Sequence, residues 1–244
     1  MQLSLVDAPE PTMPESIDLR LCSVQQMLHD LEKEGTKYGL VVADPPWHFG
    51  NAPGKGINAE DSNYECMEDL DVVGVLIDAY RIVEDGRMAM WISWAKVGDI
   101  FATMHKLDFP WRFVSGGAWS KEGGSVMGFH WRGASEPVFV FVRGKGLITN
   151  RLNLENNYKS YKEGHSKKPA AWMADWILEW TNPGDTVIDL FAGCGNLAVA
   201  CAWTGRRYIG CEIDADRHSM AINNIMYKMQ RPPRKYDQQP NIGL

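Results

Sequence analysis

The sequence predicts an α/β protein built on an open, mostly parallel twisted sheet with helices on both faces. Three observations lead there. Helical and strand-like hydrophobic periods alternate along most of the chain. Short unbroken apolar runs such as Tyr38–Ala43 read as strands buried on both faces. Turns rich in glycine or proline follow two of these runs, where ligands of such sheets bind.

With 244 residues, 45% of them hydrophobic, the chain can close one sizeable core. One domain is expected over residues 17–229, with flexible ends at 1–16, where Pro9, Pro11 and Pro14 fall, and at 230–244. The apolar runs are too short to span a membrane, and the N-terminus lacks a basic start and an apolar stretch, so a soluble cytoplasmic protein with no membrane partner is expected. Five cysteines, an odd number without a Cys-x-x-Cys pair, argue for reduced, mostly buried thiols and against a structural metal. The net charge of -6 is uneven: residues 106–168 hold 11 Lys and Arg against 5 Asp and Glu. Such a stretch either offers a basic face to phosphate or scatters as solvated charge.

In chain order, Ser23 caps a helix whose Val24, Met27, Leu28 and Leu31 share one face, and Gly35 ends it. The strand Tyr38–Ala43 stops at Asp44-Pro45-Pro46, and residues 48–63 form a polar, glycine-bearing loop. Leu70, Val73, Ile77 and Tyr80 predict a helix face before a strand at 88–92. Ile100, Phe101 and Met104 predict another before a strand at 111–114. Residues 138–142 are β-rich, and 150–168 are a polar, basic connection. Trp172, Trp176, Ile177 and Trp180 mark a helix ended by Asn182-Pro183-Gly184, its tryptophans filling core. A βαβ unit closes the series: a strand at 186–190, the turn Phe191-Ala192-Gly193-Cys194-Gly195, a helix at 196–203, and a strand at 207–211 with Glu212 at its end.

Two of these features can carry chemistry. Gly193 and Gly195 allow close approach of backbone to a ligand, the following helix start offers N–H groups to an anion, and Glu212 can accept both hydroxyls of a ribose. A dinucleotide dehydrogenase would show nearly the same unit, and a turn that only packs a helix would too. The Asp44 loop separates these readings. An exocyclic nucleobase amine is a poor nucleophile, because its lone pair is delocalised into the ring. Acceptors that draw the amine toward tetrahedral geometry activate it. Asp44 supplies a carboxylate, Pro45 a carbonyl aimed by the ring of Pro46, and Trp47 a face on which a flipped base can stack. A strand-ending Pro-Pro turn with Trp47 packed inward is the plain alternative.

The order of motifs resembles the permuted β-class of DNA amino-methyltransferases, in the branch related to the mRNA adenine-N6 methyltransferases. The likeness spans residues 17–229. Asp44-Pro45-Pro46-Trp47 comes first, then Asn63-Tyr64-Glu65-Cys66-Met67, Ser135-Glu136-Pro137 and His165-Ser166-Lys167-Lys168-Pro169. The cofactor motif Asp189-Leu190-Phe191-Ala192-Gly193-Cys194-Gly195-Asn196 comes far downstream. The resemblance implies a Rossmann-like methyltransferase fold with circularly permuted motifs and transfer of methyl from S-adenosyl-L-methionine to N6 of adenine in DNA. Asp44, Pro45, Pro46 and Trp47 would hold the target. Phe191, Gly193, Gly195, Asn196, Asp189, Glu212 and Lys168 would form the cofactor site, Lys168 near its carboxylate. His48, Lys55, Lys159, Lys162 and His165, in segments 48–63 and 150–168, would grip DNA. The Cys211-Glu212-Ile213-Asp214 strand end is similar to bacterial and phage DNA enzymes, whereas Trp47 leans toward the mRNA enzymes. RNA as substrate, N4 of cytosine as target and a catalytically silent nucleic-acid-binding partner stay open, as does a homodimer. Cys22-Ser23 stands where the family carries an acid toward the cofactor adenine, and that contact is left unassigned.

Overall fold

A computed structural model describes residues 12–49, 66–122, 133–146, 154–161 and 167–233. Lys55, Lys162 and His165, most of the 48–63 loop and most of both ends lie outside them. Eight strands form one sheet in the order β1-β8-β7-β2-β3-β5-β4-β6. In sequence these are β1 (Ile17–Leu21), β2 (Tyr38–Ala43), β3 (Val83–Trp91), β4 (Arg112–Glu122), β5 (Ser135–Arg143), β6 (Asn157–Tyr161), β7 (Thr186–Asp189) and β8 (Arg207–Glu212). All neighbours run parallel except β5, which is antiparallel to both β3 and β4.

Residues of the central strands alternate between two cores, as a strand buried on both faces must. Val41 and Ala43 of β2, Met88 and Met90 of β3 and Ile188 of β7 face α1 (Val24–Glu34), α2 (Asp69–Arg81) and α3 (Val97–Lys106). Leu40, Val42, Ala89, Trp91 and Val187 face α4 (Ala170–Trp180), α5 (Asn196–Thr204) and Ile225 of α6 (Ala215–Met229). Trp172 and Trp176 are buried there against Trp91, so the tryptophan stripe fills core as expected. The Ser23 hydroxyl accepts from the Gln26 amide and Gly35 ends α1 at φ 72°, both as the sequence indicates.

Several elements depart from expectation for identifiable reasons. On α2 the buried face is Val72, Val73, Val75, Leu76 and Ala79, and Leu70 is 52% exposed. A helix this rich in aliphatic residues offers more than one apolar stripe, and packing selects between them. β4 extends well beyond the expected 111–114 because Gly116 and Gly117 are strand residues: a Cβ at Gly117 would meet the Asn156 carbonyl oxygen at 2.7 Å. β1 falls at the edge of the expected flexible arm, and β6 within the expected polar connection. Both are edge strands of mixed polarity, which carry little hydrophobic signal. No disulfide forms among the described residues; Cys201 and Cys211 are buried, and Cys22, Cys66 and Cys194 half-buried. Among the described residues no helix is long and apolar enough to cross a membrane.

Candidate active site

β2 and β7 are paired with Val42 opposite Asp189, and the Leu190 amide donates to the Val42 carbonyl at 3.0 Å. The chain therefore leaves two adjacent strands at the same edge of the sheet, once as Asp44-Pro45-Pro46-Trp47 and once as the glycine turn. The carbonyl of Pro46 accepts from the Met67 amide at 2.8 Å, and Trp47 bridges to Met67. Trp47 is partly buried against the α1–α3 core.

The Asp44 side chain meets a cation from 124 residues away in sequence. Lys168 Nζ lies 2.7 Å from Asp44 Oδ2 and 3.2 Å from Glu136 Oε2, and Lys121 pairs with Glu136 in turn. Four alternating charges thus line the carboxyl edge of β2 and β4 and the start of β5. Burial pushes the Asp44 carboxyl above the ordinary carboxylate value, and Lys168 offsets only part of this. Burial acts on Glu136 in the same direction, but Lys168 and Lys121 outweigh it and hold Glu136 below its ordinary value. Burial would lower Lys168, yet its two carboxylates win and raise it. The resemblance put Lys168 beside a cofactor carboxylate; its ammonium is held here by Asp44 and Glu136, and its carbonyl receives the Asn196 side-chain amide at 2.7 Å.

In the glycine turn, Gly193 and Gly195 take φ 52° and 75°, the left-handed region that a side chain resists. A Cβ at Gly195 would meet Ile225 Cδ1 at 2.8 Å, whereas one at Gly193 would find nothing within 4 Å. Glu212 Oε2 accepts from the Gly193 amide at 3.1 Å, and Oε1 from the amides of Ile213 and Asp214 at 3.0 and 3.1 Å. A carboxylate accepts about four hydrogen bonds, so one position remains where two ribose hydroxyls were anticipated. Asp189 is buried and accepts from the Tyr208 hydroxyl at 3.0 Å and the Phe191 amide at 3.3 Å. Burial raises its pKa to about 7. The buried Asn196 side chain also receives Asn224 at 3.0 Å and Lys228 at 3.2 Å, while Asn224 donates to the Cys194 carbonyl at 2.7 Å. Sequence alone assigns no role to Glu136, Lys121 or Asn224; Glu136 belongs to the Ser135-Glu136-Pro137 segment, but nothing local announces its two cations.

The basic residues of the stretch that are described do not form one face. Lys121 and Lys168 turn into the charge network, and Arg143 donates to the Tyr80 carbonyl and covers its ring. Lys106, Arg112 and Lys145 are exposed at the ends of α3, β4 and β5 opposite the Asp44 edge. Lys159 is exposed on β6 beside Ser120, near that edge. His48 Nδ1 lies 2.7 Å from Glu68 Oε1.

A doubly wound sheet with a glycine turn and a carboxylate-proline loop on adjacent central strands is a Rossmann-like methyltransferase fold. The chain belongs to the N6/N4 DNA methylase family, which it matches over residues 38–223. It is 24% identical over 234 residues to the DNA adenine methyltransferase YhdJ of Escherichia coli (strain K12), covering 76% of this chain and 75% of that one. The M1.HpyAVI–SAM complex is similar with TM-score 0.65 at 18% identity, over 86% of this chain and 99% of the other. The cytosine-N4-specific PvuII DNA methyltransferase is similar with TM-score 0.63 at 14% identity, over 88% and 94%.

Proposed function

We propose that this DNA methylase transfers a methyl group from S-adenosyl-L-methionine directly to the exocyclic N6 of adenine in DNA, with Asp44, Pro45, Pro46 and Trp47 as its catalytic loop. The carrying observation is the Asp44 carboxyl, proton-seeking and clamped by Lys168, standing on the strand next to the glycine turn. Lys168 takes Oδ2, which leaves Oδ1 to accept from the amine and to hold the proton that the amine sheds, while the Pro45 carbonyl takes the second amine hydrogen. Fixing amine and donor in line lowers the barrier through proximity, an effect of about 7–11 kcal/mol in well-oriented systems.

The residues fit the cofactor. The space at Gly193 admits a ligand close to backbone, α5 opens at Gly195, which brings no capping side chain, and Glu212 retains an acceptor position. When bound, S-adenosyl-L-methionine supplies a methyl on a sulfonium, with Phe191, Gly193, Gly195, Asn196, Asp189 and Glu212 forming or bracing its seat. In this reading the chain is circularly permuted, the acceptor loop preceding the cofactor turn, and it is a relative of the mRNA adenine-N6 enzymes through its Asp-Pro-Pro-Trp loop.

The fold shared with PvuII favours N4 of cytosine as the second reading, since the same two acceptors would serve that amine; Asp rather than Ser at position 44 favours adenine. Incubation with tritiated S-adenosyl-L-methionine and single- and double-stranded DNA and RNA, followed by nucleoside analysis, decides. N6-methyldeoxyadenosine is expected, abolished by Asp44→Ala with cofactor affinity kept within a few-fold. Label in N4-methyldeoxycytidine, or RNA methylated at tenfold the DNA rate, would replace the substrate assignment. An Asp44→Ala protein retaining more than about a tenth of the activity would remove Asp44 from the chemistry.

A further inference from the structure

Beyond β3 the chain makes a short 3-10 turn, Trp94–Lys96, and Trp94 stands on it 55% exposed. Among the described residues it is the one tryptophan classed as exposed. Leaving so large an apolar ring in water forgoes the stabilisation that burial would bring, so a folded chain has little reason to fix it there for packing alone. Yet it is fixed. Trp94 Nε1 donates to Ser135 Oγ at 3.1 Å. The Ser93 hydroxyl accepts from the Ala95 amide at 3.4 Å, and its carbonyl from the Lys96 amide at 2.9 Å. At the far end of the turn, buried Lys96 binds Asp69 Oδ2 at 2.7 Å. The ring is held by its edge and both of its flanks, and the exposed area is left on a fixed support.

Its location gives this meaning. Ser135 precedes Glu136, which holds Lys168, which holds Asp44. Trp94 therefore stands on the rim of the Asp44 site, at the carboxyl end of β3, the strand adjacent to β2. A braced aromatic face beside an acceptor of nucleobase amines matches the chemistry of a flat, partly unstacked base. Taking a target base out of the stack strips its neighbours of a stacking partner, and an indole can replace that partner without regard to sequence.

We propose that Trp94 is a stacking platform for an unpaired nucleobase of the nucleic-acid substrate, beside the base held at Asp44. The assignment rests on the methyl-transfer reading above, and the test separates the two. Binding of fluorescein-labelled, adenine-containing oligodeoxynucleotides, single-stranded and duplex, is measured by anisotropy at one fixed salt concentration for the wild type, Trp94→Ala, Trp94→Leu and Trp94→Phe, with thermal melting as the folding control. The alanine and leucine variants should lose roughly 5- to 150-fold in affinity, the range of a single base-aromatic stack. Phenylalanine, which keeps an aromatic face but not the N–H, should recover to within about threefold of wild type, the remainder reflecting the lost Ser135 contact. Equal binding by all four proteins overturns the platform and leaves the methyl-transfer reading standing. Equal loss in the phenylalanine and leucine variants overturns stacking in favour of the Ser135 brace. A wild type that binds no DNA overturns both.

Discussion

Lys168 places one ammonium between two carboxylates whose proton affinities move in opposite directions, Asp44 up and Glu136 down. Its removal strips Asp44 of its nearest cation, while Glu136 keeps Lys121. In Lys168→Met, Asp44 is expected to protonate at higher pH than in the wild type. The acid limb of the kcat profile should therefore move upward, with a larger loss of rate at pH 6 than at pH 9. Profiles of the two proteins that run parallel on the acid side would show that Lys168 does not tune Asp44. Asp44 itself was legible in sequence, because a strand ending in Asp-Pro-Pro-Trp is a local signal. Lys168 was legible only as part of a motif, and its pairing with Asp44 was not: the two meet because β2 and the start of α4 come to the same edge of the sheet.

At the scale of the element, the glycine turn contains two left-handed residues with different reasons to lack a side chain. Gly195 faces Ile225 of α6, so Gly195→Ala combines backbone strain with overpacking and should lower stability by about 2–4 kcal/mol. Gly193→Ala meets no neighbour and carries only the backbone penalty, about 1–2 kcal/mol, but sets a methyl in the space assigned to the cofactor. Melting curves with calorimetry against S-adenosyl-L-methionine should show the larger fall in Tm for Gly195→Ala and the larger fall in cofactor affinity for Gly193→Ala. The reverse order would take Gly193 out of the cofactor site. Both glycines announced themselves in sequence, but their division of labour depends on what α6 brings alongside. The helix α2 shows the same limit, since its composition predicted a helix and left the buried stripe to packing.

For the whole molecule, the buried Asp189 between β7 and β8 links stability to pH. Its folded pKa of about 7 lies above the ordinary value of 3.8, so the folded chain keeps a proton that the unfolded chain has released. Stability from this group is therefore lost as pH rises between about 4 and 7, and the loss is complete above that window. Asp189→Asn can still accept from the Phe191 amide and can donate to the Tyr208 hydroxyl oxygen, without a charge to bury. It should melt higher than the wild type at pH 8, with the gap narrowing as pH falls from 7 toward 4; a gap that is constant across that range would contradict the raised pKa. The chain's own order of residues determined the apolar strands, the capped helices, the glycine turn and the Asp-Pro-Pro-Trp strand end, because each depends on periods and dihedral preferences that act over a few residues. Strand order, the pairing of Asp44 with Lys168 and Glu136, and the separation of the basic residues 106, 112 and 145 from the Asp44 edge were decided only by the tertiary structure. These depend on which strands pack side by side, and a charge near in sequence ends at one edge of a sheet or the other according to strand direction alone.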